Sequence, residues 1–215
     1  GRRIYDNILK VIQFLLSANM GEVLLIFIAA ILNLGNPLSP ILILWVNLVT
    51  DSLPALALSM DPAQKDVMTR KPRDPKRGFF SKGMIWRIVY QCSTIGLISL
   101  AAYYIGCNDG GQVLGQTMAF AVLAFSQLFH VRNLHSNKLS SFRTSLASNK
   151  NLILAILASA LLMMAVLLIP VLRNIFGVVE MDAVHWLYVT ALSIVPIVVV
   201  ELMKLFKWNH TVDEY

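Results

Sequence analysis

The chain has 215 residues, of which 57% are hydrophobic and only 14% charged, against about a quarter charged in an ordinary soluble domain. A net charge of +6 raises the question of a nucleic-acid partner, and the placement of the charges excludes one. Arginine and lysine gather at residues 2, 3 and 10, between 65 and 87, between 132 and 150, and at 204 and 207, whereas the connectors 33–40 and 106–116 carry none and 170–184 has only Arg173. That alternation is the positive-inside pattern of a membrane protein, with both termini expected in the cytoplasm.

Six apolar runs of about twenty residues are each long enough to cross roughly 30 Å of hydrocarbon. They fall at about 11–32, 41–59, 84–105, 113–131, 151–169 and 185–203. The expected fold class is therefore all-α, a polytopic transmembrane helical bundle embedded in membrane lipid.

The N-terminal stretch shows no signal-peptide pattern. Its polar helix, GRRIYDN, runs straight into the first span with Ile4, Ile8, Val11 and Leu15 at helical spacing. It reads as a stalk continuing from an upstream segment, so the chain is expected to be part of a longer protein.

The NPLSP connector (36–40) reads as a tight turn between two prolines. The segment 61–83, DPAQKDVMTRKPRDPKRGFFSKG, is long and strongly basic. It suits contact with anionic lipid or docking against an acidic soluble domain. Cys92 and Cys107 are fifteen helical residues apart, roughly 22 Å, too far for a disulfide. His130, His135, His185 and His210 lie near span ends without ligand spacing and read as interfacial anchors.

Three acids lie within the spans. Glu201 sits near the end of the sixth, three residues before Lys204, where snorkelling accounts for it. Glu22 and Asp51 are mid-span, where a carboxylate costs several kcal/mol and needs a partner or a function. Asn19 and Glu22 are spaced i, i+3, and Asn47, Thr50 and Asp51 are spaced i, i+3, i+4, so each set shares one helix face. The short turn makes the first two spans an antiparallel hairpin, and the two faces are expected to converge. Carboxylates, amides and a hydroxyl without sulfur or imidazole are ligands for a hard cation.

Pro54 has no amide hydrogen, and its ring clashes with the carbonyl of Thr50. The helix is therefore expected to unwind at the polar cluster and free carbonyls there, which membranes tolerate only where backbone lines a cavity or is buried in protein. In the fourth span, Gln127 suits an interhelical hydrogen bond or ligation. Ser17, Ser93, Ser99 and Ser159 read as packing residues.

The motif NLVTDSLPALALSMDP, followed by DVMTRKPRDPK, resembles the sixth membrane helix and following loop of the P-type calcium-transporting ATPases. SANMGE resembles their fifth helix and GRRIYDN its cytoplasmic stalk, and the resemblance extends more weakly through LFHVRNLHS to the end of the chain. It implies that residues 1–215 are the C-terminal transmembrane domain, helices five to ten of ten, of a reticulum-like or bacterial pump. Asn19, Glu22, Asn47, Thr50 and Asp51 match the family's calcium ligands, and Gln127 stands where reticulum-type pumps carry a glutamate, which weakens the site away from Asp51. Ser52 replaces a glycine that many members have.

The family hydrolyses ATP with Mg2+ through a phosphorylated aspartate in a DKTGT motif, which this sequence lacks. No catalytic residue is expected here. Calcium would be the transported ion, completed by upstream membrane helices and coupled to cytoplasmic domains of the same polypeptide. Proton counter-transport follows if the emptied, buried carboxylates take up protons. The host membrane would be the cell membrane of a bacterium or an internal reticulum-type membrane. A rival reading is an ATP-independent cation channel or cation/proton antiporter, which six spans and midplane acids also permit.

Overall fold

A computed structural model describes residues 2–62, 82–135 and 149–205. It contains α1 (Arg2–Ile31), α2 (Pro40–Trp45), a π-helical turn (Val46–Asp51), α3 (Ser52–Ser59), α4 (Lys82–Gly110), α5 (Gln112–His135), α6 (Lys150–Leu168), α7 (Pro170–Phe176) and α8 (Ala183–Leu205). With α2, the π turn and α3 counted as one span, six helices among the described residues are long and apolar enough to cross a membrane. The basic segment 63–81, and with it the lipid or domain contact expected there, lies outside the described residues, as does His210.

The spans alternate in direction, so α1 begins and α3 ends at what is here called the near end, and the turn between α1 and α2 marks the far end. The fourth span, α5, is the most enclosed of the six, and α6 and α8 are the least. Around α5 pack α4, α8, α6, α1 and the second span. A helix apolar on every side can face lipid, whereas polar groups turn inward toward neighbouring helices; α5, the least hydropathic of the six spans, buries Thr117, Ser126, Gln127 and His130 together with Met118, Phe120, Val122, Leu123 and Ala124. A smaller apolar cluster at the near end joins Phe14, Ala57, Leu58, Val131, Leu134 and Leu152.

Without a hydrophobic driving force between helices in lipid, small residues and interhelical hydrogen bonds decide how closely they pack. Both occur along α4. Toward its near end, Gln13 donates to Gln91 at 3.0 Å and Ser17 donates to the same oxygen at 3.1 Å, tying α1 to α4. Toward its far end, Gly106 and Gly115 bring α4 and α5 so close that a Cβ on Gly115 would lie 2.7 Å from the Tyr103 carbonyl oxygen. Gly115→Val is thus expected to lose about 1–3 kcal/mol by overpacking, read as earlier thermal unfolding of the full-length protein in micelles.

The connectors are tighter than the hydropathy pattern implies. The expected 106–116 connector is reduced to Gly111, with φ of 81° between two helices, because only glycine takes that turn without steric cost. Tyr103 and Gln116 donate to the carbonyls of Leu34 and Asn36, fastening the first far-end turn. Pro170 ends α6 and opens the short α7, and Gly177 caps α7 at φ of 66°. Asp182 caps α8 by accepting the His185 amide at 2.9 Å, and that bond holds its carboxyl below the usual carboxylate range.

Candidate cation site

The second span does not open into an extended segment at Pro54. It widens instead into a π turn over Val46–Asp51, the six residues that hold Asn47, Thr50 and Asp51. Pro54 lacks the amide hydrogen that Thr50 would need in an α-helical register or Val49 in a π register. One extra residue per turn relieves that mismatch within a continuous helix. Ser52 takes an ordinary right-handed conformation with φ of −68°, so a glycine is not required there, and its hydroxyl donates to the Asn47 carbonyl at 2.8 Å.

The hairpin brings its two polar faces together. Asn47 Nδ2 donates to Glu22 Oε2 at 3.1 Å and to its own helix at Ile43 O at 2.9 Å. Glu22, Thr50 and Asp51 are 3% exposed or less, and the two carboxylates are near enough for their charges to repel. From the central α5, Gln127 faces Glu22 and is fully buried. Asn19 is half-buried, one turn from Glu22, with its amide donated back to Leu15 O at 2.7 Å.

The cluster also gathers several polar atoms without partners. Glu22 Oε1, Thr50 Oγ1, both carboxylate oxygens of Asp51, and both polar atoms of Gln127 are buried without a hydrogen bond of proper geometry. Buried polar groups are otherwise almost always paired, and burying an acceptor without a donor costs about 1–3 kcal/mol, more when it is charged. Among the described residues there is no cluster of three or more histidine, cysteine, aspartate or glutamate side chains able to hold a metal. The donor set is two carboxylates with neutral oxygens, which suits a hard, oxygen-seeking cation rather than a soft one. Cys92 and Cys107 are free thiols.

Three features escaped the sequence reading. At the near end, Asp61 is 1% exposed and bridges three spans. Lys10 pairs with its Oδ2 at 2.6 Å, Asn149 donates to its Oδ1 at 2.7 Å, and Arg3 and Asn7 both donate to its backbone oxygen at 2.9 Å. Ser159 is more than a packing residue, since its hydroxyl donates to Val49 O in the π turn at 2.9 Å. His130 is not an interfacial anchor; it is 1% exposed because it rides on the enclosed α5. Glu201 accepts from Lys204 at 3.2 Å.

Comparison with known proteins identifies the family. The family described as "Cation transporting ATPase, C-terminus" matches residues 35–206. The chain is 42% identical to calcium-transporting ATPase 1 of Bacillus cereus, over 97% of the chain and 25% of that protein. It is 44% identical to a calcium-transporting ATPase of Bacillus subtilis, over 91% of the chain and 22% of that protein. It is 33% identical to an endoplasmic reticulum calcium ATPase of Aspergillus fumigatus, over 95% and 24%. The chain thus spans about a quarter of the length of the curated relatives it matches. A six-span helical bundle, matched over most of its length by these transporters, belongs to the C-terminal family of the cation-transporting ATPases.

Proposed function

We infer that residues 1–215 form the C-terminal transmembrane domain of an ATP-driven calcium pump, and that Asn19, Glu22, Asn47, Thr50, Asp51 and Gln127 provide oxygen ligands to the transported Ca2+. The observation that carries this reading is the set of buried oxygens without donors on Glu22, Thr50, Asp51 and Gln127. A calcium ion takes six to eight such oxygens, so the cluster supplies part of a shell. Upstream membrane helices of the same polypeptide supply the rest. ATP and Mg2+ act in cytoplasmic parts of that polypeptide, and both ends of this chain face the cytoplasm.

In this reading Glu22 and Asp51 are ionised while the cation lies between them, and Asn47 steadies one oxygen of Glu22 from the hairpin partner. When the ion leaves toward the far end, two close carboxylates remain in surroundings of low polarity. Their repulsion and burial then favour proton uptake, and the protons return to the cytoplasmic side as the site reopens. Export of calcium and counter-transport of protons are two halves of one titration.

The test is ATP-driven calcium uptake into sealed vesicles by the full-length protein and its Asp51→Asn variant. Uptake that requires ATP and disappears in the variant is the expected result. Calcium flux without ATP would instead make the protein a channel or antiporter, and ATP-driven uptake that survives in the variant would remove Asp51 from the site.

A further inference from the structure

The sixth helix, α6, is apolar after its first turn except for Ser159, in the sequence LILAILASALLMMAVLL. A lone hydroxyl in such a span ordinarily bonds back to its own helix. Ser159 does not: it is fully buried and donates across the interface to Val49 O, 110 residues away in sequence. At the start of the same helix, the Asn149 side chain works in both directions. Its oxygen accepts the Leu152 amide as an N-cap at 2.9 Å, while its nitrogen donates to Ala57 O at 3.2 Å and Asp61 Oδ1 at 2.7 Å.

These contacts have a common geometry. The second span and α6 run antiparallel, and the ten residues from Asn149 to Ser159 cover roughly 15 Å of helix. The stretch of the second span they face runs from Val49 to Ala57 and on to Asp61, so the two anchors lie on either side of Pro54. Between them, Leu152, Ala155 and Ile156 pack with Ala55, Ala57 and Leu58. A helix with a π turn and a proline is disposed to bend where its ladder is interrupted. Here the interruption falls within four residues of Thr50 and Asp51, so a bend would move the very groups that face Glu22.

We propose that α6 acts as a splint for the interrupted second span, with Ser159 and Asn149 as positioning residues that hold the π turn in register with Glu22 and Gln127. Neither side chain touches the cation; each satisfies a carbonyl that the interruption exposes or fixes the helix beyond it. The functional part of this proposal rests on the calcium-pump reading above. The structural part, restraint of the π turn by α6, stands on the hydrogen bonds alone.

The test uses the full-length protein and the variants Ser159→Ala, Asn149→Ala and Ser99→Ala. Ser99 is the control, a serine of α4 that is equally buried and whose hydroxyl makes no hydrogen bond. Two quantities are measured: calcium dependence of ATP-driven uptake, and backbone hydrogen exchange of peptides covering 46–61 in calcium-free buffer. Ser159→Ala is expected to raise half-saturating calcium about tenfold, equivalent to about 1.4 kcal/mol, with the maximum rate within about twofold. Exchange should accelerate at 46–54 in Ser159→Ala and at 55–61 in Asn149→Ala, and Ser99→Ala should match the unsubstituted protein in both.

Unchanged half-saturation together with unchanged exchange in Ser159→Ala overturns the splint. So does a fall in maximum rate with half-saturation intact, which would mark a general loss of fold. An unsubstituted protein that takes up no calcium overturns the pump reading instead. The splint is then decided by exchange alone, faster at 46–54 supporting it and unchanged overturning it.

Discussion

Calcium at a hundred times its dissociation constant is expected to stabilise the full-length protein by about 2.7 kcal/mol, and Asp51→Asn is expected to remove that gain while raising stability in calcium-free buffer. Both directions come from one arrangement. In the absence of a cation, Asp51 contributes two buried oxygens without donors beside the carboxylate of Glu22. An amide of the same shape carries no charge to desolvate and offers an N–H of its own, so the calcium-free state forms without the proton uptake that a buried Asp51 needs. If Asp51 is the ligand proposed above, the calcium-bound state loses a charged oxygen donor. A group that is costly without its ligand and needed with it is the expected trade between stability and function. The measurement is thermal unfolding in micelles with calcium and with a chelator. Equal calcium-induced shifts in the unsubstituted protein and in Asp51→Asn would place the ion elsewhere.

The spans were legible because the signal is one of length and apolarity: the expected 41–59 became Pro40–Ser59, and 151–169 became Lys150–Leu168. The facing of Glu22 and Asn47 was legible because helical spacing and a short turn together fix which side and which depth meet. What the sequence hides is the response of the backbone. Pro54 announces an interruption, but either an unwound segment or a π turn relieves it, and the choice depends on neighbours such as Ser159 that are distant in sequence. Gln127 was visible as a polar residue in an apolar span, yet its place beside Glu22 depends on α5 lying at the bundle centre. Asp61 was passed over because it follows the span, where an acid ordinarily meets water. Hairpin arithmetic contains the clue: Lys10 lies twelve residues before Glu22, roughly 18 Å along α1, and Asp61 ten residues after Asp51, roughly 15 Å along its own span. In antiparallel helices whose midplane acids meet, those two charges arrive at similar depth.

That near-end pair carries the second large effect. Lys10→Met in the full-length protein is expected to cost about 3–5 kcal/mol, the usual result of removing one member of a buried ion pair. Lys10 and Asp61 have side chains only 5% and 1% exposed, with nitrogen and oxygen 2.6 Å apart, so water cannot take the place of the lost ammonium. Asn149 would still donate to the other carboxylate oxygen, and that neutral amide does not by itself replace the charge of Lys10. The double variant Lys10→Met/Asp61→Asn removes both charges and keeps an oxygen for Asn149. It should recover most of the loss, because a buried pair replaced by neutral groups is often no less stable than the pair itself. A recovery of about 2 kcal/mol or more over the sum of the single variants is the coupling expected of groups in direct contact. If the single variants add without coupling, the pair is an accident of proximity. The stability would then come from Arg3 and Asn7, which hold the same turn through its backbone oxygens. Their grip does not depend on the charge of Asp61, and the two contributions are separated by the cycle for that reason.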